Sequence, residues 1–225
     1  MGGRAVVRDP AGRRARLLSA AGVETVRADL GDPESLRAAF SDAHGVFSVQ
    51  PNSGQAGTDV TNEDEVRFGA TVAEIAERCG VAHLVYSSAI TAGSTTGVDH
   101  LDTKSRIETH VRNLDIASTS IRPATFMELL VTPETGIHGG HLSFLMRPDQ
   151  AMQFIAVRDI GRIVAAVFGS PDRYAGRTIE VAGDAITGNA LAANLTGPQA
   201  RRSATAVCRR RFRHRTRFSA SWKHL

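Results

Sequence analysis

The chain has 225 residues, an ordinary apolar content of 42% and a net charge of +4, enough for one α/β domain with a full core and with no apolar run near the ~20 residues that span a bilayer. The charge is uneven: no Asp or Glu follows Asp184, residues 185–225 hold eight Arg and one Lys, and the remainder, with 18 basic and 23 acidic residues, is net −5, which excludes a nucleic-acid role argued from whole-chain pI. Cys79 and Cys208 make no disulfide framework, MGGRAVVRDP lacks the apolar region of a secretory signal, and the cytoplasm is the expected compartment.

Arg4 to Val7 predicts a short strand, closed by Arg8-Asp9-Pro10. Asp9 as cap and Pro10 in the first turn predict a helix from there to about Gly22. Val23 to Ala28 reads as the next strand, and Asp32-Pro33 repeats the cap-plus-proline signal for a helix with Leu36 and Phe40 on one face. Gly45 to Val49 is a buried-type strand. Glu63, Asp64 and Glu65 then fall in the first turn of a helix, where they complement its dipole. Phe68, Val72, Ile75 and Cys79 repeat at helical spacing, and Gly80 ends the run.

His83 to Ser87 is a compact apolar run ending in two serines, Ser87 and Ser88. A helix carrying Lys104 follows, then a β-rich run closing on Arg122-Pro123. Regularity loosens from Val131 to Met152. Gln153 to Val157 predicts a strand, Ile160, Ile163, Val164 and Val167 a helix, Thr178 to Ala182 a last strand, and Gly183-Asp184 a turn. Strands alternating with helices at this rhythm predict an α/β fold with a doubly wound, parallel, Rossmann-like sheet, in which ligands bind beyond the carboxyl ends of the strands.

Such a sheet normally opens with a strand, a glycine-rich turn and a helix whose N-terminus holds a pyrophosphate. Here Gly2-Gly3 precedes a strand directly, so the pair cannot be that turn. The expectation is an N-terminally truncated sheet, with residues 1–187 as the domain and 188–225 as a basic irregular tail.

In order, RAVVRDP (4–10), GVETVRADLGDPESLRAAF (22–40), GVFSVQP (45–51), HLVYSSA (83–89), HLDTKSRIETHVR (100–112), TSIRPATFMELL (119–130), FIAVRDIGRIVAAV (154–167) and GRTIEVAGDAIT (176–187) resemble the NmrA-like family of atypical short-chain dehydrogenase/reductases. The resemblance implies NADP, or NAD, bound at the strand ends. It places Arg8 at an adenosine 2′-phosphate, where a guanidinium pairs bidentately, and Asp29-Leu30 beside the adenine. The plain alternatives are a solvated arginine and a turn-forming Asp. Val49, Gln50 and Pro51 fall near the middle of the cofactor, Ser87 and Ser88 at the strand end where related dehydrogenases keep a serine, and Pro123 to Phe126 beside the nicotinamide.

In related dehydrogenases a tyrosine stands four residues before a lysine that holds the nicotinamide ribose and lowers the phenol's pKa. Lys104 matches that lysine, but the residue four before it is His100. A histidine can serve as an acid near neutral pH, or it can be a loop residue that caps the helix. Asp159 reads as a cap. His138 and His141, beside Gly139-Gly140, have no cysteine nearby and no third ligand, so no metal is expected.

From Gln199 the acid-free, arginine-dense tail resembles nothing in the family. It reads either as a disordered basic arm for nucleic acid, a weak suggestion, or as a terminus without an evolved role. Three functions follow: an NADP-dependent reductase of a small carbonyl or quinone-like compound, an NADP-sensing regulator of a partner protein, or a fragment that binds little. No membrane association is expected.

Overall fold

Strands and helices alternate along a computed structural model that describes residues 2–55, 58–90, 92–93, 95–136 and 142–196. The order is β1 (Arg4–Val7), α1 (Arg13–Ala20), β2 (Glu24–Arg27), α2 (Pro33–Phe40), β3 (Gly45–Ser48), α3 (Asn62–Arg78), β4 (His83–Ser87), α4 (Asp99–Arg112), β5 (Ser118–Pro123), β6 (Thr125–Phe126), β7 (Ala151–Ile155), α5 (Val157–Phe168), α6 (Pro171–Tyr174), β8 (Thr178–Val181), β9 (Asp184–Thr187) and α7 (Gly188–Thr196). Two short 3-10 helices, Met127–Val131 and Pro133–Thr135, lie between β6 and β7. The chain divides into two units, Met1–Arg122 with Val164–Ile179, and Pro123–Ile163 with Glu180–Leu225.

In the first unit β1 pairs in parallel with β2, Val6 opposite Val26. Strands β3, β4 and β5 form a second parallel ladder, with β8 beyond β5, and no ladder joins the two sheets among the described residues. All five residues of β4 are buried; a strand covered on both faces has to be an apolar run rather than an alternation. Leu36, Phe40, Val72, Leu84, Ile107 and Val111 share one core cluster with Tyr86. Helices α3 and α4 approach closely at Gly69, where a Cβ would lie 2.8 Å from the Ile107 side chain.

The helix ends follow local chemistry. Asp32 accepts from the Glu34 and Ser35 amides ahead of α2. Thr61 and Asp64 form a reciprocal capping box at α3, where the Thr61 hydroxyl and then Arg67 bring the Asp64 carboxyl down to about 2. Gly80, at φ +68°, takes the left-handed turn that ends the α3 run.

In the second unit β6 and β7 are parallel, while β9 runs antiparallel to β7, Phe154 opposite Asp184. Leu142, Met146, Phe154 and Leu191 form its core.

Four local expectations are corrected. Helix α1 starts at Arg13 rather than at Asp9-Pro10, because Asp9 closes a turn instead, accepting from Ala11 N at 2.9 Å. Gly183-Asp184 does not simply turn the chain: Asp184 opens β9, which pairs antiparallel with β7 in the second unit. Val157 begins a helix rather than ending a strand. Its amide donates to both carboxylate oxygens of Glu128, at 3.0 and 3.2 Å, and Asp159, expected as the cap, accepts instead from Arg162. Helix α7 follows directly on Thr187, with Leu191 buried. The basic stretch from Gln199, and His138 with His141, lie outside the described residues. No helix among the described residues is long and apolar enough to cross a membrane.

Candidate functional site

Each expected cofactor residue of the first unit stands just beyond or at the carboxyl end of a parallel strand, or on α4. Arg8 follows β1, exposed and without an ion pair among the described residues. Asp29 follows β2; its Oδ1 accepts from Gly31 N at 2.8 Å, so one carboxylate oxygen serves a turn, and Leu30 is half-buried against the core. Beyond β3, Val49 is 53% exposed, Gln50 is buried and Pro51 is half-buried. Gln50 Nε2 donates to Ser48 Oγ at 2.7 Å, whereas its Oε1 is buried with no hydrogen bond.

Ser87 and Ser88 end β4 and are both 7% exposed. Ser88 N donates to Ile121 O at 2.8 Å, but its hydroxyl makes no hydrogen bond of proper geometry, although it is near enough to Glu108 to favour that carboxylate. Pro123 and Phe126 belong to the second unit, the first buried and the second 37% exposed.

His100 and Lys104 lie one turn apart on α4, as expected. The His100 ring packs on Gly54, where an added Cβ would come within 2.9 Å of it. Helix α4 has no side-chain cap at Val98, so His100 does not cap it. The preceding loop is closed by Asp102, which accepts from Thr96 N and Oγ1 and from Gly97 N; these bonds hold its carboxyl below the usual range.

Lys104 does not stand free. Its side chain is 9% exposed and its Nζ lies 2.5 Å from Glu65 Oε1, on a side chain that is wholly buried. The contact is one of charge, since Oε1 has no aligned hydrogen bond, while Oε2 accepts from Thr103 Oγ1 at 2.8 Å. One turn on, Glu108 is likewise buried and takes two bonds from Arg122. Burial pushes the Glu108 carboxyl up, but the Arg122 guanidinium, the Ser88 hydroxyl and the charge of Arg112 together outweigh it and leave the group below its ordinary range. Between these acids stands Tyr86, whose phenol has no partner; burial, and then the charges of Glu65 and Glu108, push it well above the usual phenol range.

Glu65, Thr103, Tyr86 and Glu108 escaped the sequence-based expectation. Glu65 was assigned to the helix dipole with its neighbours, yet Glu65, Gly69, Val72 and Ala76 share one helical spacing and are all buried. An acid on the apolar stripe of a helix is the signal that marks it.

Residues 3–202 match the NmrA-like family. The chain belongs to the NmrA-like family. This NmrA-like chain is 31% identical over 199 residues to an NmrA-like family domain-containing oxidoreductase, FrzB, of Cladobotryum sp, covering 78% of itself and 59% of that protein. Its fold is similar to that of the NADPH-dependent quinone oxidoreductase of Escherichia coli solved with NADPH, with a TM-score of 0.71, 24% identity, and coverage of 88% and 66% of the two chains. NmrA, a negative transcriptional regulator solved with NAD, gives a TM-score of 0.67 at 24% identity, covering 86% and 62%. The chain thus spans between about three fifths and two thirds of the length of these proteins. The α/β fold expected from the strand–helix rhythm is the fold observed.

Proposed function

We propose that this NmrA-like chain binds NADP(H), with NAD(H) as the weaker alternative, and that it reduces a small carbonyl or quinone-like compound. The observation that carries the proposal is Gln50 Oε1, buried just beyond β3 with no hydrogen-bond partner among the described residues, together with the buried Ser88 hydroxyl just beyond β4. An unsatisfied buried group costs about 1–3 kcal/mol, and a ligand rich in hydroxyls and amides relieves that cost by bonding to it. The residues present therefore fit a nucleotide.

Reduced nicotinamide, when bound, supplies the hydride. Arg8 pairs with the 2′-phosphate, Asp29 and Leu30 flank the adenine, and Val49, Gln50 and Pro51 line the middle of the cofactor. Ser87, Ser88 and Lys104 hold the ribose side. His100, a serine or water returns the proton to the reduced oxygen. Two of the proteins similar to this chain bear the names of an oxidoreductase and a quinone oxidoreductase, which supports the reductase assignment.

Titration with NADPH and NADH, followed by fluorescence, tests the cofactor. Arg8→Asp is expected to weaken NADPH about tenfold or more, the value of one charge-assisted pair, and to leave NADH nearly unchanged. A folded chain that shows no saturable binding would sink the proposal.

A second function, an NADP-sensing regulator of a partner protein, is favoured by one observation. No tyrosine stands four residues before Lys104, where His100 lies instead, and the Tyr86 phenol is buried. NmrA itself is a transcriptional regulator. Turnover of a carbonyl and quinone panel with NADPH separates the two, since a sensor binds the cofactor and oxidises none of it.

A further inference from the structure

We propose that Glu65 and Thr103 are positioning residues that fix and neutralise Lys104, so that its ammonium receives an uncharged polyol edge rather than an anionic group. The proposal rests on the cofactor assignment above, which gives Lys104 the ribose side, and adds to it the two residues that hold the lysine there.

The composition of the chain singles Lys104 out. Of 27 basic residues 25 are arginine, and the only lysines are Lys104 and Lys223. At a buried position a planar guanidinium and a compact ammonium are not interchangeable. Lys104 also differs from the other interior cation of the first unit, Arg122, which grips Glu108 through two aligned bonds.

The geometry divides one carboxylate between two consecutive residues of α4. Thr103 Oγ1 donates to Glu65 Oε2 at 2.8 Å, which fixes the plane of the carboxylate and turns Oε1 toward Lys104 Nζ at 2.5 Å. Thr103 Oγ1 also lies 3.0 Å from His100 O, so the anchor is tied to the first turn of α4. The Lys104–Glu65 contact is not an aligned hydrogen bond, and an ammonium carries three donors, so donors remain for a ligand oxygen.

Charge decides which oxygen. A buried ammonium without a counter-charge would attract a phosphate or carboxylate and would be costly when empty. With Glu65 wholly buried beside it, the pair is neutral, and a second anion brought to Lys104 would also face the Glu65 carboxylate. Ribose hydroxyls accept a hydrogen bond without adding charge, and they suit a neutralised lysine best.

The test uses the two-lysine composition. Lysine-selective 15N labelling yields two side-chain signals, and Lys104→Met assigns them. The expected result is a Lys104 ammonium signal that NADPH shifts and that exchanges faster with solvent in Thr103→Val and in Glu65→Gln. NADPH binding should weaken about tenfold in Glu65→Gln, as for the loss of one charge-assisted contact, and less in Thr103→Val. Glu65→Gln should also gain competition by inorganic phosphate that wild type lacks, which a merely structural role would not produce. If Glu65→Gln fails to fold, Thr103→Val, which keeps both charges, carries the test. Folded variants that bind NADPH as wild type does, with no gain of phosphate competition, overturn the positioning role alone. A wild-type chain that binds no NADPH overturns the cofactor assignment and this proposal with it.

Discussion

Glu108 and Arg122 form a two-pronged ion pair inside the first unit, Arg122 Nε and Nη2 donating to the two carboxylate oxygens at 3.0 and 2.8 Å. Glu108 is fully buried, and the Arg122 side chain is 16% exposed. Breaking such a pair leaves one charge unmatched in the interior. Glu108→Ala is expected to cost about 3–5 kcal/mol, while Glu108→Leu combined with Arg122→Met should cost far less than the two changes added. Urea unfolding of the double-mutant cycle checks this, and simple additivity would refute the coupling.

The contact of α3 with α4 gives a prediction of opposite sign to helix propensity. Gly69→Ala should gain about 1 kcal/mol from propensity alone. Its Cβ would meet Ile107 at 2.8 Å, and overpacking costs about 1–3 kcal/mol. The variant should therefore be no more stable than wild type, and adding Ile107→Val should restore it. A thermal melt showing Gly69→Ala alone to be stabilised would contradict the close approach.

His83 makes stability depend on pH. Its Nε2 lies 2.8 Å from Thr119 Oγ1, its Nδ1 has no partner, and its ring stands edge-on to Phe168 at 5.8 Å. Burial, and then the nearby His44, hold its pKa below the usual 6.5. The unfolded chain therefore binds the proton more readily than the folded one, so His83 contributes stability that is present above about pH 6.5 and lost as pH falls toward the folded value. His83→Gln should flatten this part of a stability-against-pH curve, measured by denaturant titration between pH 5 and 8. An unchanged slope in the variant would remove His83 as its source.

Gln50 sets stability against binding. Gln50→Leu removes the orphaned Oε1 and one bond to Ser48. An unmade bond costs about 1–3 kcal/mol, whereas a made one is worth about 1. The empty protein should hold or gain thermal stability while NADPH binding weakens. A loss of both would mean that Gln50 is only part of the packing.

Much of this could be seen in the sequence. The Asp32-Pro33 signal, the buried apolar run of β4 and the helix carrying Lys104 came through because each depends on neighbours in sequence. The Asp9-Pro10 signal misled because a turn can satisfy the same side chain, and β9 was missed because its pairing with β7 is antiparallel and distant in sequence. Among site residues, Lys104 was visible through the family resemblance, with His100 standing where related dehydrogenases have a tyrosine. Its partner was not: Glu65 is remote in the chain, and only packing of α3 on α4 brings the two together. The same holds for Glu108 with Arg122, a pair made when α4 lies against β5.

The two sheets of the first unit have a consequence for amide exchange. Among the described residues β1 pairs with β2 alone, and its Val6 is 40% exposed, whereas β4 is flanked by strands on both sides and is buried throughout. Local opening should therefore release the β1–β2 amides well before those of β4. Arg8, assigned to the adenosine phosphate, sits on this early-opening ribbon, while Ser88 and Lys104 sit on and beside the late-opening core. The nucleotide would then bind one protected and one labile half, and its arrival would show first as slowed deuterium uptake in β1 and β2.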